Sequence, residues 1–140
     1  GAPEAAIQLW GYDLDRATYR PGERIGLTVY WRMVGTLTTD YTVFVHLLGP
    51  ENPSTGDPLW AQDDGEPCRR GYPTSSWATN EVVIDGYALD IPPDAPTGEY
   101  SLAIGLYEWQ TMQRLPVLDG AGNVVGDHVV LGLLQISAVP

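Results

Sequence analysis

Apolar and polar residues alternate along most of this chain. Arg24–Trp31 sets Ile25, Leu27, Val29 and Trp31 against Gly26, Thr28 and Tyr30, and Glu99–Tyr107 sets Tyr100, Leu102, Ile104 and Leu106 against Ser101, Ala103, Gly105 and Tyr107. Period two sends successive side chains to opposite faces, so both segments predict half-buried strands. Tyr41–Leu48 is apolar on both sides, with Val43, Val45 and Leu47 facing one way and Phe44, His46 and Leu48 the other. That pattern predicts a central strand covered on both faces. Further strands are expected at Ile7–Leu14, Leu59–Gln62, Val82–Ile91 and Val129–Val139. Arg114–Leu118 and Asn123–Val125 flank Asp119-Gly120-Ala121-Gly122 as a hairpin. No long window carries a 3.6-residue period, so no helix beyond a single turn is expected.

The 16 glycines and 12 prolines fall between these segments, where turns belong. Tyr19-Arg20-Pro21-Gly22-Glu23 and Pro93-Asp94-Ala95-Pro96-Thr97-Gly98 each feed straight into a strand. Proline presets φ in such turns and glycine reverses the chain. The expectation is one domain over residues 1–140, an all-β, immunoglobulin-like or jelly-roll-like antiparallel β-sandwich of about eight strands. Residues 63–80 form one long loop. It carries Tyr72 and Trp77, and loops of this length in compact domains are usually functional. It is expected to fold back over a sheet face of small residues (Gly26, Thr28, Ala103, Gly105) and to pack Trp77 there.

Charge narrows the partners. The net charge is −11, every base is arginine, and the only adjacent basic pair is Arg69-Arg70. This excludes the basic patch a nucleic-acid binder needs, and an anionic lipid surface would repel the domain. No apolar run is long enough to span a membrane, so no direct membrane insertion is expected. Gly1-Ala2-Pro3 opens without Met, and Gly1 reads as a tag-cleavage scar on a piece of a longer protein. Cys68 is the only cysteine. Arg69 and Arg70 beside it would lower its pKa, although an unpaired loop thiol is the simpler reading.

Catalytic patterns are weak. No G-x-S-x-G motif is present, and neither His46 nor His128 is linked to a serine by a motif. Most acids lie in turns, where they accept local N–H bonds. Asp63, Asp64, Glu66 and Asp85 are better placed. A hydrolase using Asp63 and Asp85 is one reading, and calcium held by Asp63, Asp64 and Glu66 another, but nothing in the sequence pairs these acids. No zinc or phosphate-loop motif occurs, so the expectation is no metal, no cofactor and no catalytic residue.

Aromatic content points instead to carbohydrate. Five tryptophans and eight tyrosines supply flat rings for the C–H face of a sugar. Trp60, Tyr72, Trp77 and Trp109 lie in or beside loops, where binding residues concentrate. The competing reading makes Trp10, Trp31 and Trp77 core or loop anchors.

Eight short motifs together resemble a family. Tyr19–Glu23 reads Y-x-P-G-E, Tyr41–Leu48 reads Y-T-V-F-V-H-L-L, and Ala61–Asp63 reads A-Q-D. Pro73–Trp77 follows P-T-x-x-W, and Asp85–Tyr100 follows D-x-Y-x-L-x-I-P-x-D-A-P-x-G-x-Y. Gly105–Tyr107, Arg114-Leu115 and Asp119–Gly122 complete the set. The chain resembles the soluble β-sandwich domains that follow the membrane part of bacterial glycosyltransferases of the dolichyl-phosphate-mannose mannosyltransferase type. The Cys68-Arg69-Arg70 region departs from that pattern. The resemblance implies a non-catalytic, extracytoplasmic accessory domain tethered to the cell membrane through its parent. Its partners would be carbohydrate, acceptor, or the membrane part of its own chain. The polar residues within the pattern are His46, Gln62, Asp63, Thr74, Asp85 and Arg114. They form either a ligand site or a buried hydrogen-bond network pinning the long loop. The alternative function is a structural interaction domain without ligand.

Overall fold

A computed structural model describes residues 6–119 and 121–138, without the side chains of Arg69 and Arg70. Gly1, and the Val139 end of the last expected strand, lie outside the described residues. Ten strands are described: β1 (Ala6–Leu14), β2 (Thr18–Tyr19), β3 (Arg24–Val34), β4 (Thr42–Leu48), β5 (Leu59–Gly65), β6 (Val82–Asp90), β7 (Gly98–Tyr107), β8 (Val117–Leu118), β9 (Val124–Gly126) and β10 (Val129–Ile136). They form two sheets, ordered β6-β3-β1-β8-β9 and β2-β10-β7-β4-β5. Among the described residues no helix is long and apolar enough to cross a membrane.

The β-sandwich read from the alternation is the fold, with two differences of detail. The strand count is ten rather than about eight; β2, of two residues, is too short to leave a pattern, whereas β9 lies close to the expected Asn123–Val125 arm of the hairpin. The sheets are also not wholly antiparallel. β1 pairs with β8, and β10 with β2, in parallel over two residues each. Each of these short strands follows a strand of the opposite sheet, so the chain has crossed the sandwich and no hairpin fixes its direction.

Alternation sorts the core as expected. Ile25, Leu27, Val29, Trp31 and Met33 of β3 are at most 2 % exposed, as are Val43, Val45 and Leu47 of β4. The Pro93–Gly98 turn ends in a tyrosine corner, in which buried Tyr100 donates its hydroxyl to the Pro96 carbonyl at 2.6 Å. Cross-strand hydrogen bonds then fix β7 between β10 and β4.

The long loop differs from expectation in extent and course. β5 runs on to Gly65, so Asp63 and Asp64 are strand residues and the loop begins at Glu66. It contains two short 3-10 turns, Pro67–Arg70 and Thr74–Ser76. It crosses from β5, at the edge of one sheet, to β6, at the edge of the other. Trp77 does reach the core, at 2 % exposure, and its indole N–H donates to the Tyr72 carbonyl at 2.9 Å. Buried Thr74 donates to the Thr39 carbonyl at 2.8 Å and accepts the Tyr41 N–H at 3.0 Å. The loop therefore seals a flank of the sandwich instead of covering a small-residue face. Those glycines serve closer neighbours: Gly26 faces the Asp15 carboxylate, and Gly105 faces the Phe44 ring and the Asp127 carbonyl.

Candidate binding site

The outer face of β4, β5 and β7 gathers three of the polar residues singled out by sequence. His46 stands opposite Gln62 of β5 and Ala103 of β7, and Phe44 stands opposite Asp64 and Gly105. Gly105 is required here, because a Cβ would lie 2.6 Å from the Phe44 ring. Phe44 is thus buried on a face that would otherwise be open, which explains why β4 reads as apolar on both sides. A tight turn after β7 returns the chain so that Arg114 bridges to Tyr107. Its guanidinium then lies 4.5 Å from the Phe44 ring centroid and 3.4 Å from the Asp127 carboxylate. The imidazole of His46 is tilted against the same ring, 5.1 Å between centroids.

Two hollows open on this face. One, of about 310 Å³, is bounded by Phe44, His46, Gln62 and Arg114. The second, of about 490 Å³, is bounded by Asp40, Thr42, Glu66 and Trp109. Asp64 and Tyr107 line both, so the hollows lie side by side. Trp109, on the turn after β7, is 72 % exposed.

Burial dominates the titration of the floor. It holds His46 below its ordinary range, with the Asp64 carboxylate opposing and Arg114 assisting. It likewise pushes Asp64 up, against the attraction of His46. The two are 3.8 Å apart, too far for a strong pair, so His46 is a neutral donor and acceptor at neutral pH. A histidine depressed in the folded state binds its proton first in the unfolded chain, so stability is lost on acidification. The unfolding midpoint is expected to fall as pH drops from neutral through 6.5, the ordinary histidine value, and His46→Gln should flatten that part of the profile. An unchanged slope in the variant would contradict the assignment.

Asp63, Thr74 and Asp85 belong to a different set. Asp63 accepts the N–H of Ala88 at 2.9 Å, tying edge strand β5 to edge strand β6. Asp85 is 5 % exposed and accepts the Tyr87 hydroxyl at 2.5 Å and the Gly86 N–H at 2.9 Å. Burial and then the Asp85 charge drive the Tyr87 hydroxyl well above its ordinary range, so it stays a donor. Asp63 and Asp85 do line a small cleft of about 270 Å³. Their carboxylates are engaged within the fold, however, and the hydrolase reading gains nothing from them. The six pattern residues therefore divide: Asp63, Thr74 and Asp85 pin the flank, whereas His46, Gln62 and Arg114 face solvent together.

The other expectations sort in the same way. Asp63 and Asp64 point to opposite faces of β5, so the calcium arrangement does not assemble. Among the described residues no three His, Cys, Asp or Glu side chains are grouped to hold a metal. Asp119 uses one carboxylate oxygen to accept the N–H groups of Ala121 and Asn123, an Asx turn. The Cys68 thiol points at the Ile84 carbonyl, 3.7 Å away. Burial and then Asp85 raise its pKa, the reverse of the activation expected from its arginine neighbours. Trp77 is core and unavailable to a ligand. Tyr72 is an anchor, its hydroxyl donating to Glu81 at 2.7 Å, and Trp60 donates its N–H to the Pro50 carbonyl at 2.7 Å. Trp109 alone of the four loop aromatics stands free in a hollow. Trp10, expected as an anchor, is 54 % exposed, because a bulge between Leu9 and Gly11 turns it outward. Sequence reasoning missed Phe44 and Tyr107 as site residues and singled out Asp64 only as a well-placed acid and calcium candidate. The usable signal was the outward phase of Phe44 opposite Gly105.

No family model matches the chain, and no curated protein matches it. Solved structures share its architecture. A CARDB domain of the PF1109 protein from Pyrococcus furiosus is 10 % identical, with a TM-score of 0.52 over 97 % of this chain and 96 % of that one. AvmM, described as catalysing macrocyclization in alchivemycin A biosynthesis, is 13 % identical, with a TM-score of 0.52 over 98 % and 90 %. The sporulation control protein Spo0M from Bacillus subtilis is 13 % identical, with a TM-score of 0.49 over 96 % of this chain and 49 % of that one. At such identities the likeness shows fold alone, and one fold hosts many functions. The CARDB domain and AvmM overturn the resemblance to glycosyltransferase-associated domains, since neither is a glycosyltransferase domain. The structure shows why the motifs misled. Pro96 to Tyr100 is a tyrosine corner, Pro73 to Trp77 is a loop anchor, and Asp119 to Asn123 is an Asx turn, all devices of sandwich construction.

Proposed function

We propose that the chain is a non-catalytic carbohydrate-binding module whose site is the pair of adjacent hollows on the outer face of β4, β5 and β7. One observation carries the reading: the exposed Trp109 ring lines one hollow, and the hollow beside it presents His46, Gln62 and Arg114. A sugar offers a C–H face to a ring and hydroxyls to polar groups, and this pair of hollows provides both. The neutral imidazole can donate or accept, the Gln62 amide can do both, and Arg114 donates only. Aromatic pairs contribute about 0.5–1.5 kcal/mol beyond area burial, and a sugar face on the Trp109 ring is expected to be of that order.

The test is a glycan screen of the intact protein and of Trp109→Ala, followed by calorimetry on any hit. Binding is expected, weakened about tenfold by the substitution, with the sugar recovered unchanged after incubation. Binding that ignores Trp109→Ala would overturn the site. New reducing ends would overturn the non-catalytic part. No binding to any glycan would leave a structural interaction domain.

A further inference from the structure

We infer that the site takes a neutral glycan chain of two or more sugar units lying along β4, not a single sugar. This rests on the carbohydrate-binding reading and specifies its ligand. Thr42 lines the hollow containing Trp109, and His46 lines the hollow containing Arg114. Both point outward on the same strand, with Phe44 between them. At about 3.4 Å of rise per residue, the four steps from Thr42 to His46 span about 14 Å, longer than one pyranose ring. Asp64 and Tyr107 line both hollows, which places them side by side, within reach of one extended ligand.

The two ends differ in chemistry. The Trp109 end offers a flat ring, which selects for a sugar with an unobstructed C–H face. The His46–Gln62 end offers hydrogen-bonding groups that fix orientation. Charge decides against acidic sugars. Asp40, Asp64 and Glu66 line the Trp109 end, where Asp40 accepts the Ser75 N–H, and the whole chain carries −11. A uronate there would meet carboxylates, and like charges brought together cost affinity.

The experiment is calorimetry with neutral oligosaccharides of one to six units from whichever class binds in the screen, and with a uronate oligomer of matched length. Affinity is expected to rise about tenfold or more from one unit to three, and the uronate to bind more weakly than its neutral counterpart. Trp109→Ala is expected to weaken binding and to flatten the increase with length, and Gln62→Ala to weaken every length. Affinity independent of length, or a uronate that binds as well, would overturn the inference while the carbohydrate-binding reading stands. Absence of binding at every length and in the whole screen would sink both.

Discussion

Trp77→Ala is expected to destabilise the fold by about 3–5 kcal/mol, the range for removing a buried tryptophan. Its ring is 2 % exposed and belongs to the common core of both sheets. Its N–H bond to the Tyr72 carbonyl closes the loop that joins edge strand β5 to edge strand β6. Truncation would leave a cavity, orphan that carbonyl and loosen the loop that helps seal this flank. Domains are commonly stable by only about 5–15 kcal/mol, so such a loss consumes much of the margin. Urea unfolding followed by fluorescence and by circular dichroism measures it. A loss below about 1 kcal/mol would place Trp77 outside the core. The contrast with Trp109→Ala is the useful one: that substitution should leave the unfolding midpoint unchanged and affect binding alone.

Gly49→Ala is the second large effect, expected at about 1–3 kcal/mol or more. A Cβ at position 49 would lie 2.3 and 2.4 Å from two carbons of the Tyr100 ring. That ring has nowhere to go. It is 1 % exposed, and its hydroxyl is held at 2.6 Å by the Pro96 carbonyl. Backbone retreat is opposed as well, because the Gly49 N–H donates to the Pro58 carbonyl at 3.0 Å where β4 turns towards β5. Thermal unfolding should show a lowered midpoint, and Gly49→Ala combined with Tyr100→Phe should not restore it, since the overlap is with the ring and not the hydroxyl. Full rescue by Tyr100→Phe would contradict this account.

Much of the sandwich was legible because period-two alternation is a local signal. β1, β3, β4, β6 and β7 lie close to where Ile25, Val45 or Leu102 and their neighbours put them. What escaped was set by contacts distant in sequence. β2 has only two residues and is held by its pairing with Gln135 and Ile136. The continuation of β5 through Asp63 and Asp64 has no apolar face to announce it; it is fixed by pairing with β4 and by the bond from Ala88 N–H to Asp63. The site was half legible. His46, Gln62 and Arg114 were named for their place in a pattern, but their convergence depends on the bridge from Tyr107 to Arg114, which no spacing reveals. Aromatic count could not separate Trp77 from Trp109, because both lie in loops and only packing buries one of them.

The most direct test of the proposed function is a titration of isotope-labelled protein with the best neutral oligosaccharide, followed by amide and indole N–H resonances. The account predicts that the Trp109 indole and the backbone of Thr42, His46, Gln62 and Arg114 shift together and saturably, with the Trp77 indole unmoved. Shifts confined to the Asp63–Asp85 cleft or to the opposite sheet, with Trp109 silent, would contradict it.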